Sequence, residues 1–260
     1  MSRWQALEEE AARWHATGRT AELWWRDDDA ADSSAALERL LAVHRDTQAP
    51  LALAVVPARA TPALADRLAA EPAVDLLQHG YAHVNHASPG EKKAELGPHR
   101  PAMVVLGELG TGWLALERLF GRRAQSVMVP PWNRIAPGLV PTLPEIGFSG
   151  LSTFGPRPRV HPVRGLLQVN THVDLIDWKS GGVFVGETAA LAALVAALAH
   201  ARTISGEPVG LLSHHLVMDG RAWDFLRSMW EIAPTLSGIC LRSARELFAA
   251  KIAPGGEAHG

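Results

Sequence analysis

The sequence predicts an α/β fold of about seven parallel strands closed as a barrel, on three observations. Short apolar runs alternate with amphipathic helical stretches along the chain, the pattern of strand–helix units on a parallel sheet. The 260 residues come close to the roughly 250 that a (β/α) barrel uses. Five polar clusters each follow the end of an apolar run: the acids at 27–29, the histidines at 79–86, Trp132 with Asn133, the stretch 172–177, and His214 with His215. In a parallel barrel those ends converge on one face, and that face carries the functional site.

Taken in order, residues 4–16 place Trp4, Leu7, Ala11 and Trp14 at helical spacing, so a helix within residues 1–20 is expected to precede the main fold. Residues 22–25 read as a strand running into Arg26-Asp27-Asp28-Asp29, and Ser33 and Ser34 offer N-caps for a helix through Leu37, Leu40 and Leu41. Residues 51–56 form a second strand, and Thr61-Pro62, a capping residue followed by proline at the first helical position, opens the next helix. Residues 74–78 are the third strand and empty into a long polar loop at 79–100. A leucine-spaced helix over 106–119 leads to a strand at 126–129 that ends in Pro130-Pro131-Trp132-Asn133. A short helix at 139–146, strands at 147–154 and 166–169, a helix at 187–202, a strand at 209–212 and helices at 222–232 and 244–252 complete the pattern. No linker divides the chain, so residues 21–253 read as one barrel domain and residues 254–260 as a disordered tail.

Composition narrows the function. A hydrophobic fraction of 47% with 20% charged residues is globular and supplies a sizeable core. A net charge of −2 with no basic run directs the chain neither to nucleic acid nor to an anionic membrane surface, so the expected partner is a small molecule or oligosaccharide. The alanine-rich stretch at 189–199 is shorter than the roughly 20 residues of a bilayer span and reads as a packed helix. Cys240 is the only cysteine, which excludes an intrachain disulfide. The first ten residues turn acidic where a secretory signal needs an apolar core, so the expected location is cytoplasmic.

The chemistry concentrates around residues 76–86. His79 and His83 are four apart, so a helical or near-helical turn would put both imidazoles on one side, and Gly80 lets the backbone bend just after the strand. That is metal-ligand spacing, and a third ligand has to come from elsewhere. Within the acids at 27–29, successive side chains alternate in direction, so one carboxylate can join the two imidazoles while another accepts a proton from water. Of His214 and His215 one points inward, and an inward imidazole suits a general acid.

At these residues the chain resembles the polysaccharide deacetylases, carbohydrate esterase family four, including the nodulation-type chitooligosaccharide deacetylases. The resemblance runs over residues 22–216 in five segments. Arg26-Asp27-Asp28-Asp29-Ala30 is similar to the family's Thr-Phe-Asp-Asp-Gly, which makes Asp28 the catalytic base and Asp29 a metal ligand; a register one residue earlier makes them Asp27 and Asp28. His79-Gly80-Tyr81-Ala82-His83 looks like the His-Ser/Thr-x-x-His segment and completes an Asp29, His79, His83 metal site. Val129-Pro130-Pro131-Trp132 resembles Arg-x-Pro-Tyr/Trp without its arginine, which orients the base in the family; Arg26 or Arg134 is the candidate replacement. Asp174-Leu175-Ile176-Asp177-Trp178 and Leu212-Ser213-His214 resemble the fourth and fifth segments. The resemblance implies a distorted (β/α) barrel and a divalent metal, zinc first, with cobalt, nickel and manganese as alternatives. It also implies His214 as general acid, an oxyanion donor near Trp132, and Pro131, Trp132, Asp177 and Trp178 around an amino-sugar substrate that loses an N-acetyl or other N-acyl group. Alternatives are hydrolysis of another small-molecule C–N bond, or a binding protein without turnover.

Overall fold

The computed structural model describes residues 2–249; the expected tail at 254–260 and the end of the last expected helix lie outside the described residues. Eleven strands occur in chain order among them: β1 (Ala21–Ala30), β2 (Leu51–Val55), β3 (Asp75–His79), β4 (Ala124–Val129), β5 (Gly150–Leu151), β6 (Leu167–Gln168), β7 (Val173–Asp174), β8 (Ile176–Asp177), β9 (Val183–Phe184), β10 (Val209–Ser213) and β11 (Ile239–Leu241). Eight of them form one curled sheet in the order β6-β5-β4-β3-β2-β1-β10-β7, every neighbouring pair parallel. β11 pairs with the start of β1, and β8 and β9 make a separate antiparallel hairpin.

The two edges of the sheet are pieces of one run. The N–H groups of Leu167, Val169 and Thr171 donate to the carbonyls of Ser149, Leu151 and Thr153, and those of His172 and Leu175 donate to Gly210 and Leu212. β6 and β7 therefore form a single stave that leans first on β5 and then on β10. A distorted (β/α) barrel of seven staves results, in agreement with the strand count expected from the sequence.

Strand alternation sorts the side chains into two layers. Leu23 and Trp25 of β1, with Leu51, Leu53 and Val55 of β2, face the helices. Trp24, Ala52, Ala54, Leu77, Val127 and Val129 face the barrel interior, where Ala244 and Leu247 of the last helix, α7 (Ala244–Ala249), join them. The period of two then puts Arg26 and Asp28 above Trp24 on the interior face, and Asp27 on the other. Small residues at 52 and 54 leave space for the Trp24 indole, whose N–H reaches the Asn170 carbonyl at 3.2 Å.

The remaining helices cover the outside. α1 (Gln5–Ala16) buries Leu7, Ala11 and Trp14, and the Trp14 indole donates to the Leu198 carbonyl of α5 (Glu187–His200), so the expected leading helix is part of the barrel's outer layer. α2 (Ala35–Thr47) and α3 (Pro62–Ala69) start at the expected caps, the Leu37 N–H on Ser34 and the Leu64 N–H on Thr61, each worth about 1 kcal/mol. α4 (Ala102–Phe120) follows the long loop, and α6 (Gly220–Ile232) stacks Trp230 on Trp25 at 5.5 Å. α5 continues into a wider turn, and the run Glu187–Ser205, 19 residues, is long and apolar enough by composition to cross a membrane; Leu191, Leu194 and Leu198 along it are buried against the barrel.

Local differences from the sequence expectation have physical causes. The first strand does not stop at Trp25 but continues through all three acids to Ala30. The helix expected at 139–146 is two short 3-10 turns, because Pro141 and Pro144 lack the N–H that an α-helix needs. The strand expected at 147–154 keeps only Gly150 and Leu151 in the ladder. β11 and the β8–β9 hairpin are too short to show a period.

Candidate metal and catalytic site

β1 delivers three acids to three different environments. Asp28, on the interior face, is gripped by Arg26 two residues earlier: Nε donates to Oδ1 at 2.8 Å and Nη2 to Oδ2 at 3.0 Å. Arg26 is fully buried, and its other donors are used as well, Nη1 on the Ser152 hydroxyl at 2.7 Å and Nη2 on Asn133 Oδ1 at 2.6 Å. A buried guanidinium whose donors are used in this way holds the carboxylate in one orientation. Of the two candidate arginines, Arg26 is thus the cation on Asp28, while Arg134 stands exposed on the rim.

Asp27 points to the opposite face. It accepts from the Ser213 hydroxyl at 2.5 Å and the His215 N–H at 3.1 Å, and it pairs with His215 Nδ1 at 2.5 Å. Neither Asp27 nor His215 lines the cleft. Of the alternatives the sequence left open, it is Asp28 and Asp29 that reach the cleft, and of the two neighbouring histidines it is His214, beside interior-facing Leu212.

Asp29 ends the alternation with a left-handed backbone, φ 76°. Its Oδ1 lies 3.2 Å from His79 Nε2 and 3.2 Å from His83 Nε2, and the three potential ligand atoms lie within 4.8 Å of one another. His79 Nδ1 lies 3.0 Å from the Val129 carbonyl and donates its proton there, which turns Nε2 toward Asp29 and His83, the orientation of a metal-ligating imidazole. One carboxylate oxygen and two imidazole nitrogens suit zinc and its first-row neighbours, so the residues fit a divalent ion with positions left for water or substrate. Burial pushes the Asp29 carboxyl up, but its hydrogen bond to His79 and the charges of His79, His214 and His83 outweigh this and hold it well below the usual carboxylate range. Burial and the His79 charge push His83 down, which favours the neutral, ligating form.

The two histidines are not on a helical turn. His79 is the last residue of β3, and the chain then turns through left-handed Gly80 (φ 56°) to left-handed His83 (φ 57°). Buried Glu95 braces this turn by accepting from the Tyr81 N–H at 3.1 Å and the Ala82 N–H at 2.7 Å. A side chain at position 80 would overlap the Glu95 carboxylate and the Pro131 ring. Trp132 and Asn133 are left-handed too, and the Trp132 ring packs on the His83 imidazole with centroids 4.3 Å apart. Five residues with positive φ around one cleft mark a backbone shaped by its surroundings rather than by local preference.

On the far wall, His214 Nδ1 lies 3.6 Å from Asp174 Oδ1, and its ring meets Trp178 edge-on at 4.8 Å. The Trp178 indole donates to Asp174 Oδ2 at 2.9 Å. Burial opposes a charge on His214, but Asp174 at its Nδ1 and the negative charges of Asp28 and Asp29 outweigh it and raise the pKa to about 9.

These groups line a cleft of about 510 Å³, with Asp28, Asp29, His79 and His83 on its floor and His214 on the far wall. Trp132, Asn133, Phe154, Asp174 and Trp178 form the walls, with Lys93 and Arg134 on the rim. Two expected substrate contacts lie elsewhere. Pro131 is buried beneath Gly80, and Asp177 caps its own turn by accepting from the Lys179 and Ser180 N–H groups at 2.9 and 3.2 Å. Asp174, Phe154 and Asn133 line the cleft instead. Asp174 sat in the same sequence segment, but Phe154 is isolated from every motif and carried no signal.

No family model and no curated protein matches this sequence. Solved structures do match. The chain is similar to a Mycobacterium smegmatis protein assigned to the polysaccharide deacetylases, at 18% identity, 89% of this chain, 90% of that one and a TM-score of 0.71. It is also similar to a family 4 carbohydrate esterase from Streptomyces lividans solved with acetate, at 16% identity, 85% of this chain, 91% of that one and a TM-score of 0.55. A family 4 acetyl xylan esterase from Clostridium thermocellum solved with a cobalt ion matches at 14% identity, 88% of this chain, 90% of that one and a TM-score of 0.51. The fold is that of the polysaccharide deacetylases.

Proposed function

We propose that this protein is a metal-dependent hydrolase that removes an N-acetyl or other N-acyl group from a substrate containing an amino sugar. The observation that carries the reading is a carboxylate locked by Arg26, an Asp29–His79–His83 ligand set and His214 beside Asp174, all open to one cleft. The acetate and the cobalt ion in the two esterase structures of the same fold support it.

Asp29, His79 and His83 would hold a divalent ion, zinc first and cobalt, nickel or manganese as alternatives; such an ion supplies Lewis acidity toward a water and toward the acyl oxygen. Asp28 accepts the proton of the attacking water, and Arg26 keeps its carboxylate aimed. The N–H groups of Asn133 and Arg134 are consumed within their own turn, on the Pro130 and Pro131 carbonyls, which leaves the Trp132 N–H as the turn's donor to a developing oxyanion. His214, whose pKa Asp174 and the cleft carboxylates raise, gives its proton to the departing amine nitrogen, and Asp174 offsets the charge it carries before the transfer. Trp132 and Trp178 present apolar faces to the sugar ring.

A binding protein without turnover was favoured by the missing arginine at position 129. Arg26 reaches Asp28 from β1 instead, which supports the catalytic reading. The test is acetate release from a panel of N-acetylated amino sugars with zinc-loaded protein, with and without chelator, and with Asp28→Asn. Release that stops with chelator, returns with zinc and is absent in Asp28→Asn is expected; no release from any sugar would refute the reading.

A further inference from the structure

The rim of the cleft carries two cations whose charge nothing nearby offsets. Lys93 and Arg134 both line the cleft and both are exposed, and among the described residues neither has a carboxylate within ion-pairing distance. The acids lining the cleft are engaged elsewhere: Asp28 with Arg26, Asp29 with the two imidazoles and Asp174 with His214. The acids of the rim loop are engaged too. Glu91 pairs with His99 at 2.7 Å, and Glu95 is buried on the Tyr81 and Ala82 N–H groups.

The two cations are also positioned rather than free. Arg134 Nη1 donates to the Lys93 carbonyl at 2.7 Å, so the guanidinium lies against the backbone that bears the lysine. The segments behind them are stitched together by a parallel bridge between Leu96 and Ile135 and by the Ala136 N–H on the Leu96 carbonyl at 2.7 Å. Asn85 Oδ1 accepts from the Ala94 N–H at 2.9 Å and fixes the loop from its other side. One guanidinium N–H is used in this brace, and the remaining donors and the ammonium are available to a ligand. A planar fork beside a point charge is the donor set that recognises phosphate or carboxylate.

Resting on the reading of the cleft as an N-acyl amino-sugar site, we propose that Lys93 and Arg134 form an anion clamp on its rim, and that the substrate is an N-acyl amino sugar bearing a phosphate or carboxylate group. A neutral polymer would leave both cations unmatched, whereas an anionic sugar gains two charge contacts without displacing an internal partner. Because the clamp is exposed, its contribution weakens as salt screens it.

The test is equilibrium binding by calorimetry to zinc-loaded Asp28→Asn protein, which holds substrate without turning it over. The probes are N-acetylglucosamine as the neutral reference, N-acetylglucosamine 6-phosphate and N-acetylmuramic acid. At least one anionic sugar is expected to bind about tenfold more tightly than the neutral one at low salt, the value for two modest charge contacts. The more favoured of the two identifies phosphate or carboxylate as the group read. The preference is expected to fall to near unity in 0.5 M salt, on the order of a 4 Å screening length, and in the added double variant Lys93→Met/Arg134→Met. Zinc content of the double variant checks that the floor of the cleft is intact. Equal or weaker binding of both anionic sugars, or a preference that survives the double variant, overturns the proposal. Acetate release from the same sugars by zinc-loaded wild-type protein reads the other question: an intact anion preference without acetate release would remove the deacetylase reading and leave the clamp standing.

Discussion

Arg26 and Asp28 are neighbours on one face of a single strand, and their side chains meet in a two-pronged ion pair of 2.8 and 3.0 Å in the barrel interior. A carboxylate and its orienting cation two residues apart move as one body, so their alignment does not depend on how two separate loops pack. Replacing Arg26 by Met leaves a buried carboxylate without its partner. A loss of about 3–5 kcal/mol of stability is expected in chemical denaturation, with a fall of about 100-fold in kcat for acetate release where the variant remains folded. Arg26→Lys keeps the charge but not the fork and is expected to fall between wild type and Arg26→Met; activity equal to wild type in either variant would contradict the assigned role.

The Asp29–His79–His83 set predicts about one divalent ion per chain by elemental analysis of purified protein supplied with zinc. His83→Ala and Asp29→Asn, prepared identically, are expected to lose it. At zinc a thousandfold above its dissociation constant, binding adds about 4 kcal/mol to the wild type, so the melting temperature should rise with zinc in the wild type and not in His83→Ala. Equal metal content in the three proteins would place the ion elsewhere.

His214 offers a pH test. In protein stripped of divalent ions, its imidazole followed by NMR is expected to titrate near pH 9, and Asp174→Asn should bring it down toward its ordinary value. The folded value is raised above the unfolded one. The linked stability is therefore fully present below about pH 6.5, the unfolded value, and is lost as pH rises through about 9. Loading zinc places positive charge beside Asp29 and should lower the His214 value, which an unoccupied site would not do.

Gly80 predicts an inversion of the family resemblance. A serine there matches the usual second segment, yet here the added side chain meets the Glu95 carboxylate and the Pro131 ring at a residue with φ 56°. Gly80→Ser is expected to destabilise the fold by about 1–3 kcal/mol and to lower zinc affinity by displacing His83. The pairing of Gly80→Ser with Glu95→Ala should recover part of the stability, measured by the same melt. A Gly80→Ser protein that binds zinc as tightly as wild type would show that the turn is not braced as described.

The strand–helix alternation, the α2 and α3 caps, the strand-end clustering of polar residues and the His79, His83 spacing were all legible because each depends on neighbours in the chain. Even the presence of Arg26 on the same face as Asp28 follows from the period of two in a strand. The choice among Asp27, Asp28 and Asp29, and between His214 and His215, was not legible. It depends on which face of β1 and β10 is interior, and that is settled only when the barrel closes and Asp27 finds Ser213 and His215 outside it. The same holds for Glu95 beneath Gly80, for Asp174 rather than Asp177 beside His214, and for Lys93 beside Arg134. Local sequence determined the elements and the kind of chemistry, since backbone period and side-chain type act over a few residues. Tertiary structure decided the role of each side chain, since burial and ion pairing depend on groups 40 to 190 residues away that only the closed sheet brings together.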